Sequence, residues 1–252
     1  MNPYVISLIA FIVIFGGAFL SAFLRRVLPE HHLAESTKDI VRLGTGLLGT
    51  ISALVLGLLI ASANSSYDSQ STQVRRLTAD VILLDQLLEQ YGPDAQKVRA
   101  LLRNSIKPLA DQIWNNEALG TKAQPFQSTL AGQFVYANIQ ALSPQTDAER
   151  SLKSHAIQTI TELAQTRLEL FARAGSSIPG PFLAVLILWL TIIFASFSMF
   201  TPLNATLIGI LGVLALSAAG AIFLILELSQ PFQGVIEIPN APLLNALVPL
   251  QT

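Results

Sequence analysis

Few side chains in this chain stand at the spacings that chemistry requires. His31 and His32, beside Glu30 and Glu35, are the residue types that hold a transition metal. Adjacent histidines point different ways on a helix, however, and no third strong ligand is spaced to join them, so an interfacial loop is expected and no metal site is assigned. Asp80, Asp85 and Glu89 give one helix an acidic side, for which a charged face in water is the expectation and cation coordination the lesser reading. His155 lies in a polar helical stretch with no serine nucleophile and orienting acid around it, and is read as a solvated surface residue rather than a general base. Gly44, Gly46 and Gly49 sit inside an apolar run with no Gly-Lys-Ser/Thr after them, which argues against a phosphate-cradling loop and nucleotide hydrolysis. The absence of cysteine removes disulfides, thiolate metal sites and cysteine nucleophiles. No catalytic residue, metal or cofactor is predicted, and an enzyme is not expected.

What remains is passage or protein binding rather than catalysis. Thr45, Gly49, Ala53, Gly57 and Ala61 form a ladder of small residues, while Leu47, Ile51, Leu54 and Leu58 lie on a separate face. Small residues every fourth position let helix backbones approach closely in lipid. Close packing is one reading of the ladder; the other is a slim face lining a pore when several subunits gather, with Thr50 and Ser52 nearby. Phe11, Phe15, Phe19 and Phe23 recur every fourth residue as a packing or lipid-facing stripe, or as a hydrophobic constriction. The span interiors carry no charge, and Glu227 stands only at a boundary. A coupled transporter needs an ionisable group at membrane depth, whereas a channel does not. Four thin spans cannot enclose a pore alone, so a channel here implies a homo-oligomer.

The elements that position these residues follow from composition and periodicity. With 52% hydrophobic and 12% charged residues, the chain has about half the charge of an ordinary soluble domain. A formal charge of -1 with interleaved signs leaves no footprint for nucleic acid. Apolar runs predict spans at roughly 4–24, 43–63, 182–200 and 205–226. The first is taken as retained, since no basic segment or clear cleavage pattern accompanies it. From Leu43 to Tyr91 no proline intervenes, and Val74, Leu77, Val81, Leu84, Leu88 and Tyr91 recur at three and four. One helix of about 49 residues, or about 73 Å, is expected there, following a polar connection at 25–42. It ends at Gly92-Pro93. Further helices are expected at about 94–115, kinked at Pro108, around Phe126, Leu130, Phe134 and Ala137, and from the capping box at Thr146–Glu149 to near Gly175. The fold class is all-α: a four-transmembrane-helix membrane protein with a helical-bundle soluble insert between spans two and three. Its expected parts are 1–63, 64–178, 179–228 and a C-terminal tail at 229–252, resting on the bundle or the interface.

Several short stretches occur in a fixed order: Phe23-Leu24-Arg25-Arg26-Val27-Leu28-Pro29, Leu54 to Ala63, Tyr91-Gly92-Pro93, Ile113-Trp114, Trp189 to Phe194 and Glu227 to Gly234. Together they resemble the bestrophin-like bacterial membrane family, itself remotely similar to bestrophins, and the resemblance covers nearly the whole chain. It implies four spans, a helical domain between spans two and three, a pentameric anion-conducting channel and span two as pore lining. It also implies a cytoplasmic insert. The charges at Arg25, Arg26, Lys38 and Arg42 instead place the first connection in the cytoplasm and the insert outside.

The expected function is thus a passive, bestrophin-like anion channel in the bacterial inner membrane, with the lipid bilayer, small anions and copies of itself as partners. Thr45, Gly49, Ala53, Leu54, Gly57, Leu58 and Ala61 are the expected pore-lining residues, with Leu54 or Leu58 as the narrowest ring. Hydroxyls and backbone dipoles, rather than fixed charge, would select the anion. The alternative is a membrane-anchored interaction or sensory protein whose Val74–Tyr91 seam binds a partner.

Overall fold

A computed structural model of the chain describes residues 2–25, 35–114, 130–174, 180–201 and 204–247. Their regular elements are all helical: α1 (Pro3–Arg25), α2 (Glu35–Tyr91), a 3-10 turn (Pro93–Ala95), α3 (Gln96–Trp114), α4 (Leu130–Ala141), α5 (Asp147–Ala174), α6 (Gly180–Phe200), α7 (Ala205–Leu228) and α8 (Ala241–Leu244). Four of these, α1, α2, α6 and α7, are long and apolar enough to cross a membrane. The second is the long helix expected from the missing proline, unbroken over 57 residues or about 86 Å. It starts at Glu35 rather than Leu43, so 35–42 is helix and not connection. The polar residues there disfavour lipid, but nothing in them breaks a helix. Gly92 ends it at φ +109°, in the left-handed region that a side chain would resist.

The chain divides into two compact units, Met1–Tyr67 with Ile178–Gln230, and Asp68–Ser177 with Pro231–Thr252. In the first, α1 packs on α6 and α7 around Ala10, Ile14, Ala18, Leu186, Phe194, Ala215 and Ile222, and Leu48, Leu56, Leu59, Ile60 and Ala63 of α2 join this core. Small residues set the close approaches. A Cβ on Gly17 would stand 2.5 Å from Thr191 Cγ2, and that threonine is fixed because its hydroxyl donates to the Ile187 carbonyl at 2.7 Å. Nearby, Ser21 Oγ donates across the helices to the Ala195 carbonyl at 2.6 Å. Gly17→Ala should therefore separate α1 from α6 and destabilise the unit by about 1–3 kcal/mol. The check is a melting curve in detergent, where an unchanged midpoint would refute the close approach. At the start of α7, the Leu207 amide donates to Asn204 Oδ1 at 2.8 Å, an N-cap in the short link after α6.

The second unit is a bundle of α2, α3, α4 and α5. Val74, Leu77, Val81, Leu84, Leu88 and Tyr91 are all buried within the single chain. Leu84, Leu88 and Tyr91 meet Val98 and Leu102 of α3, Val135 and Ile139 of α4, and Ala156 and Ile160 of α5. The seam proposed for a partner is thus already occupied by the protein's own helices. Pro108 lies inside α3, which continues to Trp114. The capping box forms at the head of α5: the Glu149 amide donates to Thr146 Oγ1 at 3.1 Å, and Glu149 Oε2 accepts from the Gln145 amide at 2.6 Å. On α4 the expected inward face is corrected. Phe134 and Ala137 are exposed, and Val135 and Ile139, with Leu142 just past the helix end, are buried instead. In so apolar a helix either side satisfies the pattern, and the partners decide. Phe126 lies outside the described residues. The tail rests on this bundle: Phe232, Ile238 and Leu243 are buried, and Trp114 Nε1 donates to the Ile238 carbonyl at 2.7 Å.

Candidate functional site

The residues proposed for conduction all lie on α2, where 3.6 residues per turn decide which of them share a side. A four-residue step advances about 40° round the helix, so the ladder from Thr45 to Ala61 winds nearly half a turn. Thr45 and Gly49 are accordingly half-buried beside the core-facing Leu48 and Ser52. Ala53, Gly57 and Ala61 are exposed. Steps alternating between three and four keep a constant side, and Ile40, Leu43, Leu47, Ile51, Leu54 and Leu58 follow that rhythm. All six are exposed, Leu54 at 74% and Leu58 at 68%. The structure therefore brings Leu54, Leu58 and Ala61 together on the open side and puts Ala53 and Gly57 on its flank. It does not bring Thr45 and Gly49 to them.

The flank has a member that the ladder missed. Gly46, Thr50, Ala53 and Gly57 follow the three-and-four rhythm on exposed positions, and no other part of the chain lies within 4 Å of a Cβ built on Gly46 or Gly57. The signal was in the sequence, at a spacing other than four. The threonine hydroxyls are committed: Thr45 Oγ1 donates to the Val41 carbonyl at 2.7 Å and Thr50 Oγ1 to the Gly46 carbonyl at 3.0 Å. A hydroxyl whose proton is given to its own helix presents lone pairs outward, which suit a cation better than an anion. The phenylalanine ladder divides, with Phe11 and Phe15 stacked at 5.5 Å and half-buried, and Phe19 and Phe23 exposed. Phe15 also lies against α7, where a Cβ on Gly212 would be 3.6 Å from its ring.

The acidic side of the polar end of α2 is corrected as well. Asp85 does not face water but is buried. Arg99 Nε donates to its Oδ1 at 3.0 Å and Arg99 Nη2 to its Oδ2 at 2.8 Å, while Arg103 Nη2 reaches Oδ2 at 3.4 Å. Burial pushes the Asp85 carboxyl up, but hydrogen bonds and charge from Arg99, with help from Arg103, hold it below the usual carboxylate range. Glu89 lies 3.3 Å from Arg99 Nη1. Asp80 is pushed up, first by burial and then by Glu162, against the pull of Arg76. Glu227, expected at a boundary, is fully buried in the first unit and engaged within the chain. His155 is exposed. Among the described residues no group of three or more His, Asp and Glu is placed to hold a metal, and the His31–His32 pair lies outside them.

Comparison with known proteins matches this arrangement to one family. A family model described as a Bestrophin-like domain matches residues 11–243. Among solved structures, two substituted forms of a bacterial bestrophin homolog from Klebsiella pneumoniae share its fold. One gives a TM-score of 0.68 at 13% identity over 97% of this chain and 95% of that one. The other gives 0.63 at 14% identity over 93% and 95%. A crystal structure described only as a membrane protein gives 0.66 at 13% identity over 95% and 94%. No curated protein matches. With four helices suited to a membrane and a family match over most of its length, this all-α membrane protein belongs to the bestrophin-like family.

Proposed function

We propose that the protein is a homo-oligomeric passive channel for small anions, a ring of α2 helices around an axial conduit, and pentameric as the family resemblance implies. The observation that carries this reading is the uncharged, uncovered leucine side of α2. Six large apolar residues from Ile40 to Leu58 stand exposed along one line of a helix that also continues beyond its apolar part. Beside that line, Gly46, Ala53 and Gly57 offer a slim flank on which a neighbouring copy's helix can close. In this arrangement Leu54 and Leu58 form the narrow apolar ring, Ala61 follows them on the conduit, and Ala53 and Gly57 border the subunit contact. Thr45 and Gly49 pack inward within each copy. Hydrophobic necks of this kind gate by wetting and need no titrating group in the span.

The test is flux through vesicles containing purified protein. Wild-type protein should carry chloride down its gradient well above empty vesicles, and no flux beyond that background would refute the channel. Because the chain lacks cysteine, a thiol introduced by Leu58→Cys is the only one present. A bulky thiol reagent should then block Leu58→Cys and spare the parent protein, and equal flux in both would remove Leu58 from the conduit. Reagent added from one side, to a thiol introduced by Asp147→Cys at the exposed start of α5, would also fix the side of the membrane on which the insert lies.

A further inference from the structure

We propose that the seam between α2 and α5 in the second unit is a proton-sensitive joint. Asp80 and Glu162 draw the two helices together when a proton lies between them and push them apart when both are ionised. Every residue involved belongs to that one unit. Gln73 of α2 meets Glu169 of α5, its Nε2 donating to Oε2 at 3.4 Å, while Leu84 and Leu88 meet Ala156 and Ile160, so the helices run antiparallel. Moving about two turns along each helix from the first of these pairs, from 73 to 80 and from 169 back to 162, brings Asp80 opposite Glu162. The seam is rich in acceptors and short of donors. Gln73 is only 9% exposed, and its Oε1, like Asp80 Oδ2, is buried with no hydrogen-bond partner among the described residues. Glu162 Oε1 accepts from Gln158 Nε2 of its own helix at 2.9 Å. The other side of α2 is built the opposite way: Asp85, about 140° round the helix from Asp80, accepts from Arg99 and Arg103.

A buried carboxylate oxygen without a donor costs free energy, and a second carboxylate across the seam adds to the cost. A proton relieves both, because it cancels the repulsion and turns Asp80 from acceptor into donor. The charges acting on Asp80 are Glu162 from α5 and Arg76 from α2, and burial together with Glu162 outweighs Arg76, so the carboxyl is pushed up. Glu169 is paired with Gln73, and Arg99 and Arg103 are committed to Asp85. Among the described residues no group of three or more His, Asp and Glu is placed to hold a metal, and two carboxylates with no third acid beside them suit a proton better than a metal cation. A carboxyl raised by folding favours the folded state below its unfolded value and opposes it as pH rises through the folded one. The α2–α5 joint therefore tightens in acid, where the Asp85–Arg99 contact between α2 and α3 weakens.

The experiment is urea unfolding of the full chain in detergent between pH 4 and pH 7, followed by Trp114 fluorescence in a Trp189→Phe background. It compares the parent with Asp80→Asn, Glu162→Gln and the double variant. At pH 7 either substitution removes the ionised pair, so Asp80→Asn should raise the midpoint by roughly 0.5 M. Glu162→Gln should raise it too, and the double variant should gain no more than Asp80→Asn alone, since the two share one interaction. The gain from Asp80→Asn should shrink as pH falls and vanish below about pH 4. A lower or unchanged midpoint in Asp80→Asn at pH 7 overturns the joint, because Arg76 would then satisfy the carboxylate. Gains that add in the double variant overturn the coupling of Asp80 to Glu162. A parent midpoint raised by magnesium chloride at pH 7, and unmoved by it in Asp80→Asn, would assign the pair to a metal cation and overturn the proton. None of these outcomes depends on whether the protein conducts.

Discussion

Leu58→Ala, and more so Leu54→Ala with Leu58→Ala, should raise single-channel conductance several-fold. Each substitution removes three carbons from every copy around the proposed ring, which widens the neck. It also lowers the cost of wetting, at about 0.8 kcal/mol per methylene no longer presented to water. Both side chains are exposed in the single chain, so truncation leaves no cavity in the protomer's own core. Single-channel recording checks this directly. Currents of wild-type size in the double variant would show that the leucine line faces lipid and not the conduit.

Asp85→Asn should be the most damaging single change in the second unit. It strips the counter-charge from Arg99 and Arg103 at a site where the carboxylate side chain is only 11% exposed. Breaking a largely buried pair from one side leaves the partner desolvated, for an expected loss of about 2–4 kcal/mol. The effect has a defined pH window. The folded carboxyl titrates below its ordinary value, so its stabilisation is complete above the unfolded value of about 3.9 and is lost as pH falls through the lower folded value. Wild type and Asp85→Asn should therefore differ most near neutrality and converge below about pH 4. Of the two tryptophans, Trp114 lies in this unit, so denaturant curves followed by its fluorescence in a Trp189→Phe background report on it. Equal stability of the two proteins at pH 7 would contradict the pairing.

Much of the fold was legible because its strongest signals are long and local. Four apolar runs and a proline-free stretch lead directly to α1, α2, α6 and α7, and the Val74–Tyr91 rhythm marks a seam that is buried throughout. What could not be read is which neighbour fills each face. A helical bundle was expected in the insert, but only the structure shows that α3, α4 and α5 fill the seam that the alternative reading left for a partner. Phe134 looked like core for the same reason, in a helix where Val135 and Ile139 make an equally apolar side. Asp85 looked solvated because its partners Arg99 and Arg103 lie beyond the Gly92-Pro93 turn. On α2, spacing alone put Leu54 and Leu58 on one face, and both are exposed there. Thr45 and Gly49 were grouped with them because a step of four passes for one face over two turns, although its drift accumulates over four.

The most direct measurement is the arrangement of copies in lipid nanodiscs, imaged as single particles. The expected result is a closed ring in which α2 is the innermost helix of every copy, with Leu54 and Leu58 bordering a gap on the axis. A monomer, or a ring in which the leucine side of α2 faces the surrounding lipid, would contradict the channel.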